Sequence, residues 1–131
     1  MPLTLSDAVR ALIDGKNFAT VATLDPDGGP QTSVVWIGLD GGDLVFSATE
    51  DRRKVRNLRR DARVSVSITD AENPYRHTQL RGTVTITPDP DKTLPRILSH
   101  KYLAEDPPPE SADVERVVVR LKVRKIAGNV K

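Results

Sequence analysis

The stretch FATVATLDPDGGPQTSVVWIGLDGGDLVFS, residues 18–47, decides the fold class of this chain. It alternates short runs of β-branched and apolar residues with clusters of Asp, Gly and Pro, a pattern typical of strands joined by tight turns. The pattern predicts strands at residues 18–24, 31–39 and 44–47, with turns at residues 25–29 and 40–43. Strands connected in this way form a β-meander, in which neighbours run antiparallel.

The rest of the chain adds helices and three more strands. Alternating apolar residues predict strands at residues 62–69, 80–87 and 116–126. Helices are predicted between a Ser6 cap and Gly15, at residues 51–61 and at residues 91–103, and an exposed proline-containing loop at residues 105–113. We therefore expect one domain, residues 1–131, of mainly β class with flanking helices, in which six antiparallel strands form a closed or half-closed barrel.

The composition narrows the class of protein and of site. The 131 residues include no cysteine, which excludes disulfides, thiolate zinc sites and cysteine nucleophiles. No run approaches the roughly 20 apolar residues of a membrane span, so we expect a cytoplasmic protein without membrane contact. His77 and His100 lie on different predicted elements without further ligands at a suitable spacing, and we predict no metal site. P-loop, G-x-G-x-x-G and G-x-S-x-G motifs do not occur in the sequence.

A cluster of cations marks the candidate binding site. Residues 47–58 read SATEDRRKVRNL, and six cations fall between positions 52 and 60, although the net charge of the chain is only +2. A strand ends here on Ser47 and Thr49 and leads into a helix that begins with Arg53 and Lys54. Cations in a first helical turn oppose the helix dipole, but a bound phosphate would accept hydrogen bonds from the free N–H groups, the hydroxyls and both cations.

Other interpretations of these residues remain open. A basic helix can simply be solvated, and a basic patch can bind nucleic acid. The low net charge and the lack of clustered aromatic residues argue against nucleic acid as a partner. Trp36, in the second predicted strand, can equally be a core residue.

Several segments in register resemble one known family. They are TLDPDGGPQTSVVW (residues 23–36), DLVFSATEDRRKVRNLRRDARVSV (43–66), NPYR (73–76) and LRGTV (80–84). Together they resemble the pyridoxamine 5′-phosphate oxidase-like split-barrel proteins, and among these the actinobacterial branch of flavin/deazaflavin oxidoreductases that use coenzyme F420. The resemblance extends from about Asp14 to Ile126.

The resemblance implies a six-stranded, Greek-key split β-barrel of the FMN-binding type, assembled as a homodimer with the cofactor at the subunit interface. It places one strand against the cofactor ring through its backbone, and this strand contains Gln31, Thr32, Ser33, Val34, Val35 and Trp36. The hydroxyls of Ser47 and Thr49, with Arg53 and Lys54, would hold the cofactor phosphate. Gln79 would reach the pocket from the other subunit.

The resemblance also implies a reaction. Reduced coenzyme F420 would deliver hydride to an unsaturated organic substrate, and no side chain stands out as a proton donor. Surplus cations at Arg52, Arg56, Arg59 and Arg60 favour the longer, more anionic coenzyme F420. The alternatives are an FMN-dependent oxidoreductase of the pyridoxamine 5′-phosphate oxidase type and a non-catalytic flavin- or deazaflavin-binding protein. Relatives have Y-L-G where this chain has Tyr102-Leu103-Ala104, and a later Y-P pair where it has three prolines, so the substrate is not identified.

Overall fold

Turn residues and β-branched runs place the strands of this protein, as described by a computed structural model for residues 2–131. The strands are β1 (Ala19–Leu24), β2 (Pro30–Val35), β3 (Gly38–Asp40), β4 (Asp43–Thr49), β5 (Arg63–Thr69), β6 (His77–Pro88) and β7 (Arg116–Gly128). The helices are α1 (Asp7–Asp14), α2 (Arg53–Arg60) and α3 (Thr93–Leu103). No helix within residues 2–131 is both long enough and apolar enough to cross a membrane.

All strands join one antiparallel sheet in the order β2-β1-β5-β6-β7-β4-β3. Strands β5, β6 and β7 are successive neighbours and β4 returns to lie beside β7, which is a Greek-key arrangement. The outer strands β2 and β3 do not pair with each other, so the sheet is split rather than closed. The prediction of a mainly β, antiparallel split barrel with flanking helices is confirmed.

The sheet has seven strands instead of the predicted six because the expected strand 31–39 is interrupted. It separates into β2 and β3 at Trp36 and Ile37. The N–H of Ile37 donates to the hydroxyl of Tyr102 at 3.2 Å, and its carbonyl accepts from Nζ of Lys101 at 2.6 Å. Helix α3 therefore supplies the partners that a neighbouring strand would otherwise provide.

The core lies on one face of the sheet. Alternate residues of the strands are buried there, among them Val21, Val66 and Leu121, and Ile13 of α1 covers them. Burying each of these side chains contributes roughly 1.5–3 kcal/mol to the free energy of folding. Because successive side chains of a strand point to opposite faces, apolar residues at every second position determine which face is buried.

Helix α2 is fixed to the sheet by its apolar side and by one buried amide. Val55 and Leu58 are buried in the core, and Nδ2 of Asn57 donates to the side chains of Thr23 and Asp25, both at 3.0 Å. No side chain caps the start of the helix at Arg52. The anchored helix thus holds its uncapped N-terminus in a set position beside β4.

The end of α3 is strained. Ala104 adopts the left-handed conformation, with φ of 57°, and its N–H donates to the carbonyl of His100. A side chain with a Cβ pays roughly 1–2 kcal/mol in this conformation, whereas glycine does not. The glycine of the Y-L-G motif would adopt this conformation without that cost, whereas this chain has alanine at the same position.

We expect Ala104→Gly to raise the free energy of unfolding by about 0.5–1 kcal/mol, because relief of the backbone strain exceeds the added freedom of the unfolded chain. Urea denaturation measures the change. Ala11→Gly, at an exposed position inside α1, is the matched control and should lower stability by about 1 kcal/mol. A loss of stability in both variants would contradict the strain at residue 104.

Candidate functional site

A cavity of about 490 Å³ opens where β2 faces the end of β4 across the split in the sheet. The first turn of α2, helix α3 and the segment after α3 complete its walls. We call this segment, residues 105–110, the strap. The residues that line the cavity include Ser33, Val34, Trp36, Ser47, Arg52, Lys54, Leu103, Glu105 and, at the start of β7, Arg116.

Two buried hydroxyls in this wall have no hydrogen-bond partner. Within residues 2–131, Ser33 Oγ on β2 and Ser47 Oγ on β4 are the buried side-chain oxygens left unpaired, and both residues line the cavity. Each such group costs roughly 1–3 kcal/mol unless a ligand satisfies it. Their position on the two strands that flank the cavity fits a polar ligand bound between them.

Two cations border the same cavity without a counterion. Lys54 is half-buried, and neither Lys54 nor Arg52 makes a salt bridge within the described part of the chain. Burial, and next the positive charge of Arg52, lowers the pKa of the Lys54 ammonium below its ordinary value. An anion in the cavity would remove both penalties, and the uncapped N–H groups of α2 add to its attraction.

The remaining cations of this cluster are engaged within the chain. Arg53 Nε lies 3.5 Å from Asp25 Oδ1, and Arg53 does not line the cavity. Arg56 donates to the carbonyl of Asp51 at 2.6 Å, Arg59 pairs with Glu50, and Arg60 donates to the carbonyl of Leu24. Arg52 and Lys54 therefore line the cavity, whereas Arg53, which we expected there together with Lys54, does not. Of the surplus cations, only Arg52 is free to meet a longer anion.

The other predicted residues divide into two groups. Val34, Val35 and Thr49 line the cavity, although the Thr49 hydroxyl donates to Asp51 Oδ1 at 2.7 Å. Gln31 Oε1 accepts from the Thr23 hydroxyl at 2.8 Å, and Thr32 is exposed. Neither Gln31 nor Thr32 lines the cavity. Gln79 is exposed on β6, outside the cavity of its own chain.

An aromatic stack supports the wall that Trp36 contributes. Its ring lies parallel to that of Tyr102, with centroids 5.2 Å apart, and Phe18 stacks on the far side of Tyr102 at 5.7 Å. The Tyr102 hydroxyl donates to the carbonyl of Asn17 at 2.6 Å, which fixes the middle ring. Trp36 is thus partly packed and partly a cavity residue.

Lys101 makes further contacts in the same region. Its Nζ donates to the carbonyls of Ile13 and Ile37 and lies 4.8 Å from the centre of the Tyr102 ring. Burial lowers the pKa of this lysine to about 8. Nothing in the local sequence around Lys101 and Tyr102 shows that both side chains reach the break between β2 and β3.

The strap and Arg116 also form part of the cavity wall. The sequence predicted an exposed loop at residues 105–113, and the strap is indeed exposed along much of its length. Its residues 105–108 nevertheless form one wall of the cavity, and Arg116 at the start of β7 stands beside them. Three consecutive prolines were the available signal, since they favour a stiff, extended segment.

Comparison with known proteins agrees with this fold. The profile of the family described as Pyridoxamine 5′-phosphate oxidase matches residues 5–129. A pyridoxine/pyridoxamine 5′-phosphate oxidase of Kineococcus radiotolerans is 31% identical over 102 residues, which cover 78% of this chain and 42% of that protein. The chain thus spans less than half the length of this curated relative.

Solved structures give the same result. An F420 reductase matches with a TM-score of 0.84 and 30% identity, over 94% of this chain and 98% of its own. A conserved hypothetical protein of Mycobacterium tuberculosis shares the fold at 23% identity, with a TM-score of 0.75 over 95% of this chain and 84% of its own. This chain belongs to the pyridoxamine 5′-phosphate oxidase family, whose fold is that of oxidoreductases with flavin-type cofactors.

Proposed function

We propose that this protein is an oxidoreductase that binds coenzyme F420 in the cavity and transfers hydride from the reduced coenzyme to an unsaturated organic substrate. The observation that carries the proposal is the unneutralised, half-buried Lys54 beside two unpaired buried hydroxyls in one cavity. A phosphorylated, polar cofactor satisfies all three groups at once. Coenzyme F420 is preferred because the F420 reductase matches this chain at 30% identity over nearly its whole length.

The residues have separate tasks in this proposal. Lys54 and Arg52 neutralise the phosphate, and the Ser47 hydroxyl and the first N–H groups of α2 donate hydrogen bonds to it. Ser33 offers a hydroxyl to the polar edge of the ring, while Trp36 and Val34 exclude water from its face. The bound cofactor supplies the hydride chemistry, and the protein supplies position and electrostatic stabilisation.

An FMN-dependent oxidoreductase is the second candidate, and one observation favours it. Arg56, Arg59 and Arg60 are held by partners within the chain, which leaves fewer free cations for the longer anionic tail of coenzyme F420. A non-catalytic cofactor-binding protein is the third candidate. Turnover of reduced cofactor with a panel of acceptors distinguishes this candidate from both enzymes.

Lys54→Ala tests the phosphate contact. We expect the dissociation constant for coenzyme F420 to rise at least about tenfold, because one charge-assisted contact at a half-buried site contributes about 1.5–3 kcal/mol. The melting temperature of the free protein should stay the same or rise, since the variant removes a half-buried ammonium that has no counterion. Calorimetric titration and thermal unfolding measure the two effects.

The control for Lys54→Ala is Lys125→Ala, which removes an exposed lysine of β7 outside the cavity. It should leave cofactor affinity within about twofold of the starting protein. Equal effects of the two variants on affinity would contradict a specific role for Lys54. A DNA affinity that falls steeply with salt and depends on Lys54 would favour the nucleic-acid interpretation instead.

The proposal includes a homodimer with the cofactor at the interface and Gln79 reaching the partner's cavity. Its support is a face of β2 and β6 on which Val34, Gln79 and Arg81 are exposed, next to the unpaired edge of β2. Exposed strand edges and apolar residues favour association between copies.

Sedimentation at micromolar concentration should therefore give about twice the 14.4 kDa mass of the chain. Val34→Glu, which puts a charge on this face, should shift the population towards the monomer. A monomer in the unaltered protein would overturn the shared site and leave the phosphate contact of Lys54 to be judged by the titration above.

A further inference from the structure

The strap is a fixed wall of the cavity. At its start the Ser99 hydroxyl donates to the carbonyl of Glu105 at 2.6 Å. At its end Glu110 accepts from Arg116 Nε at 3.1 Å and lies 3.2 Å from Lys92 Nζ. Between these contacts the prolines 107–109 restrict the backbone. The backbone of the strap is therefore held in place beside the cavity.

On the strap side of the cavity most charged side chains have a hydrogen-bond or salt-bridge partner, whereas the carboxylate of Glu105 has none in the described part of the chain. Arg116 is paired with Glu110, and Asp106 Oδ1 lies 2.6 Å from His100 Nε2. Glu105 lines the cavity, and its carboxylate makes no salt bridge within residues 2–131. Among the carboxylates of the strap, Glu105 is therefore the one with neither a salt bridge nor a side-chain hydrogen bond to the described residues.

The surface beside Glu105 is apolar. Leu103 is 55% exposed and borders the cavity together with Trp36 and Val34, of which Val34 also belongs to the face proposed for the dimer. Exposed apolar side chains that meet at the mouth of a cavity favour an apolar ligand, and a nearby carboxylate repels anions and attracts cations. The recognition chemistry of this side thus differs from that of the phosphate-binding side.

We propose that the strap selects the second substrate: an apolar acceptor that is neutral or positively charged, with Glu105 as the residue that disfavours anionic acceptors. This inference rests on the proposed function, because it takes the cation side to be filled by the cofactor. Since Glu105 is exposed to water, its attraction for a unit charge is about 1 kcal/mol, which corresponds to about fivefold in affinity.

The test uses protein loaded with coenzyme F420, with loading verified by absorbance after ultrafiltration. Two probes share one ring and differ in charge: naphthylmethyl-trimethylammonium and naphthylmethanesulfonate. Each is titrated while the indole N–H resonance of Trp36, the single tryptophan, reports binding. We expect the cation to bind about 25-fold more tightly than the anion, because fivefold attraction of one and fivefold repulsion of the other multiply, and we expect Glu105→Gln to reduce this ratio to about one and Glu105→Lys to invert it.

The control variant is Glu72→Gln, which makes the same change in net charge on the β5–β6 connection outside the cavity. It should keep the ratio of the unaltered protein. A ratio near one in the loaded, unaltered protein, or a ratio that Glu105→Gln leaves unchanged, overturns the selection by Glu105 alone. Failure to load with coenzyme F420 overturns the proposed function, and with it this inference, before any probe is added.

Discussion

The uncompensated charge of Lys54 is the constraint on which the candidate site depends. Val55, Leu58 and Asn57 bind helix α2 to the sheet, and this attachment sets the position of Lys54 in the first turn. The ammonium consequently remains half-buried beside Arg52, where burial and like charge lower its pKa. A protein that keeps such an arrangement in its free state gains from it when an anion binds.

The two unpaired hydroxyls, like Lys54, have no partner among the described residues of the free protein. Ser33 and Ser47 lie on strands that do not pair with each other, and the split between those strands forms the cavity. If β2 and β3 paired and closed the barrel, more backbone N–H and C=O groups would be hydrogen-bonded, but the cavity would be lost. The break at Ile37, with Lys101 and Tyr102 as substitute partners, allows the chain to leave β2 in this position without exposing its backbone.

Much of the fold could be predicted from the sequence because the signals are local. The D-P-D-G-G and D-G-G-D turns mark the meander, and alternation in β5, β6 and β7 marks the buried face. The interruption at Trp36 and Ile37 could not be predicted, since its cause lies about 65 residues away on α3. Motif spacing identified the cluster of cations beside the cavity, but whether Arg52 or Arg53 lines the cavity depends on the ion pair of Arg53 with Asp25, a contact across 28 residues of sequence.

The division of the cavity into a cationic side and an apolar side with one unmatched carboxylate came only from the structure. Arg116, Glu110 and the strap are close in sequence, yet their pairing determines which charges remain free. Charge counts along the chain cannot show this, because most of the basic residues of α2 and β7 are already engaged.

The most direct measurement of the central claim is the pKa of Lys54, followed by NMR of its side chain in the free protein and with ligand. In the free protein we predict a pKa below the ordinary lysine value, for the reasons of burial and Arg52. Coenzyme F420 or FMN should raise this pKa on binding, because each places a phosphate beside the ammonium, whereas riboflavin, which has no phosphate, should not. A Lys54 pKa that stays unchanged while coenzyme F420 is bound would contradict the account.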